Sequence, residues 1–184
     1  MPISPAAVSS SAMHGALVPI ATMTGNGTSS VELRASNIPQ NFQDLLIQFN
    51  GTPTNSSGFG VFGISGGNGS NGGFTYLFGN GSLAQSGRAV NNTGARFDGI
   101  TNLSSSYPVS ATFHILNYAN TSTYKTLLCR SAADYNGSGT TNLVVSMVQS
   151  TAAVTSFFIQ TGVAGTYWSS SSTMTLYGIR SVGQ

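Results

Sequence analysis

Gly63-Ile64-Ser65-Gly66-Gly67 has the spacing G-x-S-x-G, and Asp98 and His114 follow it in the order serine, acid, histidine. In that pattern the hydroxyl attacks a carbonyl, the imidazole takes its proton and the carboxylate orients the imidazole. The chemistry needs more than spacing. The serine must sit on a strained turn from a strand into a helix, whose first amides hold the oxyanion. After Ser65 the chain reads GGNGSNGG, which offers no helix, so Ser65 is expected to be a turn residue. Just before it, Gly58-Phe59-Gly60-Val61-Phe62-Gly63 fits G-x-G-x-x-G but also lacks the following helix that would receive a pyrophosphate. The expectation there is a strand with small residues on one face and Phe59 and Val61 on the other. GGNGSNGG then reads as a hairpin tip, its Asn-Gly and Gly-Gly steps supplying positive φ.

The other reactive side chains are scattered. His114 alternates with Phe113 and Ile115, which puts it on the opposite face of a strand with Thr112 and Leu116, as a hydrogen-bonded structural histidine. His14 lies near the N-terminus. Two histidines and the lone Cys129 do not make a metal site, and Cys129 in YKTLLCRS reads as a buried, inert thiol. Glu32, Asp44, Asp98 and Asp134 are isolated in sequence, so no carboxylate pair for glycoside hydrolysis is apparent. Glu32 and Arg34 share a strand face as a surface or interface pair. No catalytic residue, cofactor site or metal site is expected.

Composition narrows the partners. Charged residues make up 5% of the 184, hydrophobic ones 40%, and the formal net charge is +2. The chain can collapse around a core, but its surface lacks the charge that normally keeps proteins apart, as in a subunit covered within an assembly. Arg34, Arg88, Arg96, Lys125, Arg130 and Arg180 form no dense patch, so nucleic acid is not an expected partner. No stretch approaches a membrane span. The N-terminus lacks the pattern of a secretory signal, so synthesis in a cytoplasm is expected. Asn-x-Ser/Thr triplets at Asn26, Asn50, Asn55, Asn68, Asn80, Asn91, Asn102, Asn120 and Asn136 follow from composition.

Positioning falls to strands. Alternation at Val31, Leu33 and Ala35, at Phe113 and Ile115, at Val144, Ser146 and Val148, and at Met174 and Leu176 has a period of two. DLLIQFN, FTYLFGN, YKTLLCRS and VTSFFIQT add β-branched and aromatic runs. Roughly nine to eleven strands, with turn clusters every ~8–12 residues and no helix, predict an all-β fold: an antiparallel, jelly-roll-like β-sandwich over residues 16–184. Residues 1–15, with Pro2, Pro5 and no periodicity, predict an extended arm.

Aromatic side chains are the remaining candidates for contact. Tyr76, Phe78, Tyr107, Tyr118, Tyr124, Tyr135, Tyr167 and Trp168 could stack on sugars, but core and intersubunit packing is the favoured reading. Tyr167, Trp168, Tyr135 and Tyr107 are the candidate interface or glycan contacts. Tyr167-Trp168 is expected to be exposed beside a flexible run from Ser169 to Thr173.

ALVPIATMTGNGTSSVELRASNIPQNFQDLLIQFNG, then FTYLFGNGS, FHILNYANTSTYKTLLCRS and STMTLYGIR, resemble in their order the small β-sandwich virion proteins of tailed bacteriophages, over residues 16–180. The resemblance implies a non-enzymatic, typically trimeric structural component. The favoured form is a capsid decoration or cement protein on the virion surface, bound between subunits of the major capsid protein and made in the host cytoplasm. The alternative it implies is a tail-fibre or receptor-binding module that engages host surface glycan.

Overall fold

The computed structural model describes residues 17–56, 59–66, 71–90, 95–96 and 103–180. The expected arm, His14, Asp98 and the centre of GGNGSNGG lie outside them. The described residues form twelve strands: β1 (Leu17–Thr24), β2 (Glu32–Ser36), β3 (Asp44–Gly51), β4 (Gly60–Ile64), β5 (Gly72–Gly79), β6 (Ala84–Val90), β7 (Ala95–Arg96), β8 (Val109–Leu116), β9 (Lys125–Asp134), β10 (Gly139–Val148), β11 (Ser156–Thr161) and β12 (Thr173–Ile179). All pairings are antiparallel.

Two sheets pack as a β-sandwich, one of eight strands in the order β1-β12-β3-β8-β9-β10-β5-β6 and one of four in the order β2-β11-β4-β7. The pairs β1/β12, β2/β11, β3/β8 and β4/β7 are nested, as when one long hairpin is rolled up, and this is the jelly-roll order. Two further hairpins, β5–β6 between β4 and β7, and β9–β10 between β8 and β11, widen the large sheet beyond β8. The GGNGSNGG segment therefore is not a hairpin tip. It carries the chain from β4 in the small sheet to β5 in the large one, and Asn71 Nδ2 donates to the Gly66 carbonyl across its base (2.9 Å). Strand runs and glycines on both sides leave the same local signature whether the connection reverses within a sheet or crosses between sheets.

Alternation places the core. Leu45, Ile47 and Phe49 on β3, Phe113 and Ile115 on β8, and Leu127 and Cys129 on β9 face Leu33, Phe62, Phe157 and Ile159 of the small sheet. Phe113 bridges the layers, with ring centroids 4.8 Å from Phe62 and 5.2 Å from Phe157. In β4 the core-facing side chains are Phe62 and Ile64, both buried, rather than a face of small residues.

Trp168, expected to be exposed, is fully buried. It packs edge-on against Phe49 (4.8 Å between centroids), and its indole N–H donates to the Ile159 carbonyl (3.3 Å). The serine run beside it is not a loose tether. Ser172 is buried, accepts from the Thr52 amide (3.0 Å) and donates to the Thr52 carbonyl (3.2 Å), closing the sandwich end around the indole. A Trp flanked by serines reads as exposed because serine is usually a surface residue, but backbone groups can satisfy its hydroxyl inside.

Candidate functional site

The outer face of the eight-stranded sheet carries the side chains that alternate away from the core, and the strand register sorts them into rows. One row crosses six strands as Thr175, Gln48, Thr112, Arg130, Leu143 and Leu77. The next, toward the β9–β10 turn, reads Thr173, Asn50, Ser110, Ala132 and Thr141. These two rows line an open cleft of about 870 Å³. Within it Asn50 Nδ2 donates to Ser110 Oγ (2.8 Å). Arg130 is exposed at mid-cleft, and its guanidinium has no hydrogen-bond or ion-pair partner among the described residues.

On the other side of the Arg130 row the same face turns apolar. Tyr177, Leu46, His114, Leu128 and Val145 follow one another across the strands, and beyond them lie Leu116, Met147 and Val90. Val145 and Met147 are 42% and 41% exposed, Leu116 37% and Val90 69%. One sheet face thus has a cleft end, where a lone cation stands among hydroxyls, carboxamides and the exposed Leu77 and Leu143, and a second end of unburied aliphatic side chains with no cleft.

The sequence candidates divide against this geometry. Ser65 lies at the end of β4 in the small sheet, where its Oγ accepts from the Thr155 amide (2.8 Å) and the Ser156 amide (3.2 Å). It is a turn residue, as expected. His114 is on the outer face of the large sheet, also as expected, with Nε2 3.1 Å from Asp44 Oδ2. Asp44 Oδ1 accepts from the Asn117 amide (2.6 Å), so the carboxylate ties the start of β3 to the end of β8. Serine and histidine therefore occupy different sheets and make no triad. Glu32 and Arg34 do pair, at 2.5 and 2.9 Å, with the guanidinium 4.7 Å from the Phe158 ring centroid.

Among the four aromatic candidates, Tyr107 and Tyr135 come together (5.9 Å between centroids), with Tyr107 exposed. Tyr167 lies half-buried in the loop before β12, and Trp168 is in the core. None of the four lines the cleft. The cleft residues Gln48, Asn50, Thr112 and Arg130 were not singled out as a site by sequence. The readable signal was Gln48 and Asn50 at alternate positions of DLLIQFN, with Arg130 on the polar side of YKTLLCRS, but only strand order brings them side by side.

Two buried groups show what the interior does to ionisation. Burial pushes the Cys129 thiol well above its ordinary value, which leaves it a protonated, unreactive core residue. Lys125 is 1% exposed, and its Nζ donates to the carbonyls of Asn120 (2.6 Å), Thr123 (2.8 Å) and Thr151 (3.2 Å). Burial lowers its pKa, opposed by three carbonyl dipoles that favour the ammonium. Among the described residues no cluster of three or more His, Cys, Asp or Glu could hold a metal, and no helix is long and apolar enough to cross a membrane.

The strand order and the sorted face define an antiparallel jelly-roll sandwich with one widened, two-ended sheet. No family model matches the chain, and no curated protein matches it. Among solved structures, a protein of unknown function from Shewanella oneidensis MR-1 is 11% identical, with 93% of this chain and 78% of that one covered, at a TM-score of 0.28. The alginate lyase Aly36B, in complex with an alginate tetrasaccharide, is 8% identical over 91% of this chain and 99% of that one, at 0.27. Likenesses this distant bear on neither fold nor function.

Proposed function

We propose that this chain is a non-enzymatic structural subunit of a phage virion, a capsid decoration protein that forms a homotrimer and docks between subunits of the major capsid protein. The observation that carries the reading is the apolar end of the large sheet. Leu116, Val145, Met147 and Val90 are exposed on the outer face of the large sheet, and each Å² of such surface gains ~25 cal/mol when covered. Their occupant in this reading is a second copy of the chain. Arg88 borders the strip on β6 and Asp44 borders it on β3, so opposite charges stand at opposite sides of the patch. A ring of three follows where the strip of one copy meets a different surface of the next, a head-to-tail contact whose rotation closes. The near-absence of other charge keeps the desolvation cost of such contacts low.

Purified protein added to expanded capsids should bind stoichiometrically and raise their resistance to heat, and gold-labelled antibody should mark the head of the particle. In solution the wild type should have the mass of a trimer, and Val145→Asp should be monomeric with its fold intact by circular dichroism. Label at the tail tip, or no binding to capsids, overturns the decoration role. A monomeric wild type overturns the assignment of the strip.

A further inference from the structure

We infer that the cleft across the outer face of the large sheet is a binding site for an acidic polysaccharide, with Arg130 pairing with a carboxylate of the sugar chain. Hydroxyls and carboxamides from Gln48, Asn50, Ser110, Thr112 and Thr141 line it, the groups that exchange hydrogen bonds with sugar hydroxyls. Leu143 and Leu77 at one end offer an apolar surface for the C–H face of a sugar ring.

Charge sets the class of sugar. Among the described residues Arg130 is the only charged one lining the cleft, and its fork of donors matches a carboxylate bidentately. No acid within the cleft neutralises it. Asp134 is the nearest carboxylate along β9 on the same face, ~13 Å away at ~3.3 Å per residue, and its Oδ1 accepts from the amides of Asn136 (2.9 Å) and Gly137 (3.4 Å). In a chain with so few charges, a guanidinium with no partner among the described residues, set between Thr112 and Leu143 in a cleft of mixed apolar and hydrogen-bonding groups, is a directed feature of the surface. Nucleic acid fits poorly, because a backbone with one charge per nucleotide needs a row of cations and the cleft has one. The cleft runs from β12 to β5, about 24 Å at ~4.8 Å between strands, which is room for an extended oligosaccharide rather than one small molecule.

The site is separate from the apolar strip and stands whether or not the chain decorates a particle. The test is affinity electrophoresis of the purified full chain through gels containing polygalacturonate, neutral dextran or an oligo-dT strand. Polygalacturonate should retard the protein and the other two should not. Arg130→Gln should weaken the polygalacturonate interaction about tenfold or more, with an unchanged melting temperature because the side chain has no partner among the described residues to lose. Arg34→Gln, which removes a cation from the opposite sheet, should bind as the wild type does. Absence of retardation by polygalacturonate overturns the inference, as does equal retardation by dextran or binding of oligo-dT instead. Equal loss in the two arginine variants also overturns it, since that would be attraction to overall charge.

Discussion

Lys125 shows how far one side chain can depart from the habit of its type. Lysine is almost never fully buried without a partner, and here the partners are three backbone carbonyls from two loops, 117–124 and 149–155. Lys125→Met keeps the volume but strips the donors, and should destabilise the fold by about 2–4 kcal/mol in denaturant unfolding. Cys129 gives a pH signature. Its thiol titrates well above 9.0 in the folded state, so its contribution is present below pH 9 and is lost as pH rises, when the unfolded thiol ionises and the buried one does not. Stability above pH 9 should therefore fall less steeply in Cys129→Ala than in the wild type, by up to about 1.4 kcal/mol per pH unit. Equal slopes would show that the thiol ionises as freely inside as outside. The thiol's burial was legible from the apolar run around it. That of Lys125 was not, because its cage is assembled from loops distant in sequence.

Strands were legible wherever one face is buried, as in β3, β8, β9, β10 and β12, whose alternation survives intact in the burial pattern. β6 was missed because it is an edge strand with little buried on either face, and so has no period to read. The turns hold a second lesson. Asn26 Oδ1 accepts from the amides of Thr28 (3.0 Å), Ser29 (2.9 Å) and Ser30 (3.0 Å). Asn80 does the same for Ser82 and Leu83, and Asn120 for Ser122 and Thr123. Three of the Asn-x-Ser/Thr triplets therefore have a physical use that composition alone had concealed, the carboxamide standing in for a backbone acceptor. Asn26→Ala should cost about 1 kcal/mol, read as a lowered denaturation midpoint at constant m. Gly25, next to it, has no room for a methyl group against the backbone of Trp168 and Ser169, and Gly25→Ala should cost about 1–3 kcal/mol by the same measurement.

At the scale of the molecule, sandwich class followed from strand density and the lack of helices, but the inequality of the sheets did not. Nothing local distinguishes the inserted β5–β6 and β9–β10 hairpins from the strands of the nested roll. Their register is what aligns Arg130 with Gln48 and Val145 with His114's row, so the two-ended face became visible only with strand order. The widening also leaves the large sheet with two unlike borders. At β1, Pro19 lacks an amide hydrogen and the ladder to β12 is irregular between Pro19 and Ala21, whereas β6 is regularly paired along β5. A flanking chain can continue the hydrogen-bond ladder past β6 far more easily than past β1. Joining like borders ends growth at two chains, and joining unlike ones is hindered at every step. The molecule can thus present a broad, sparsely charged sheet at high local concentration while its own β1 border opposes the open-ended ribbons from which amyloid is built.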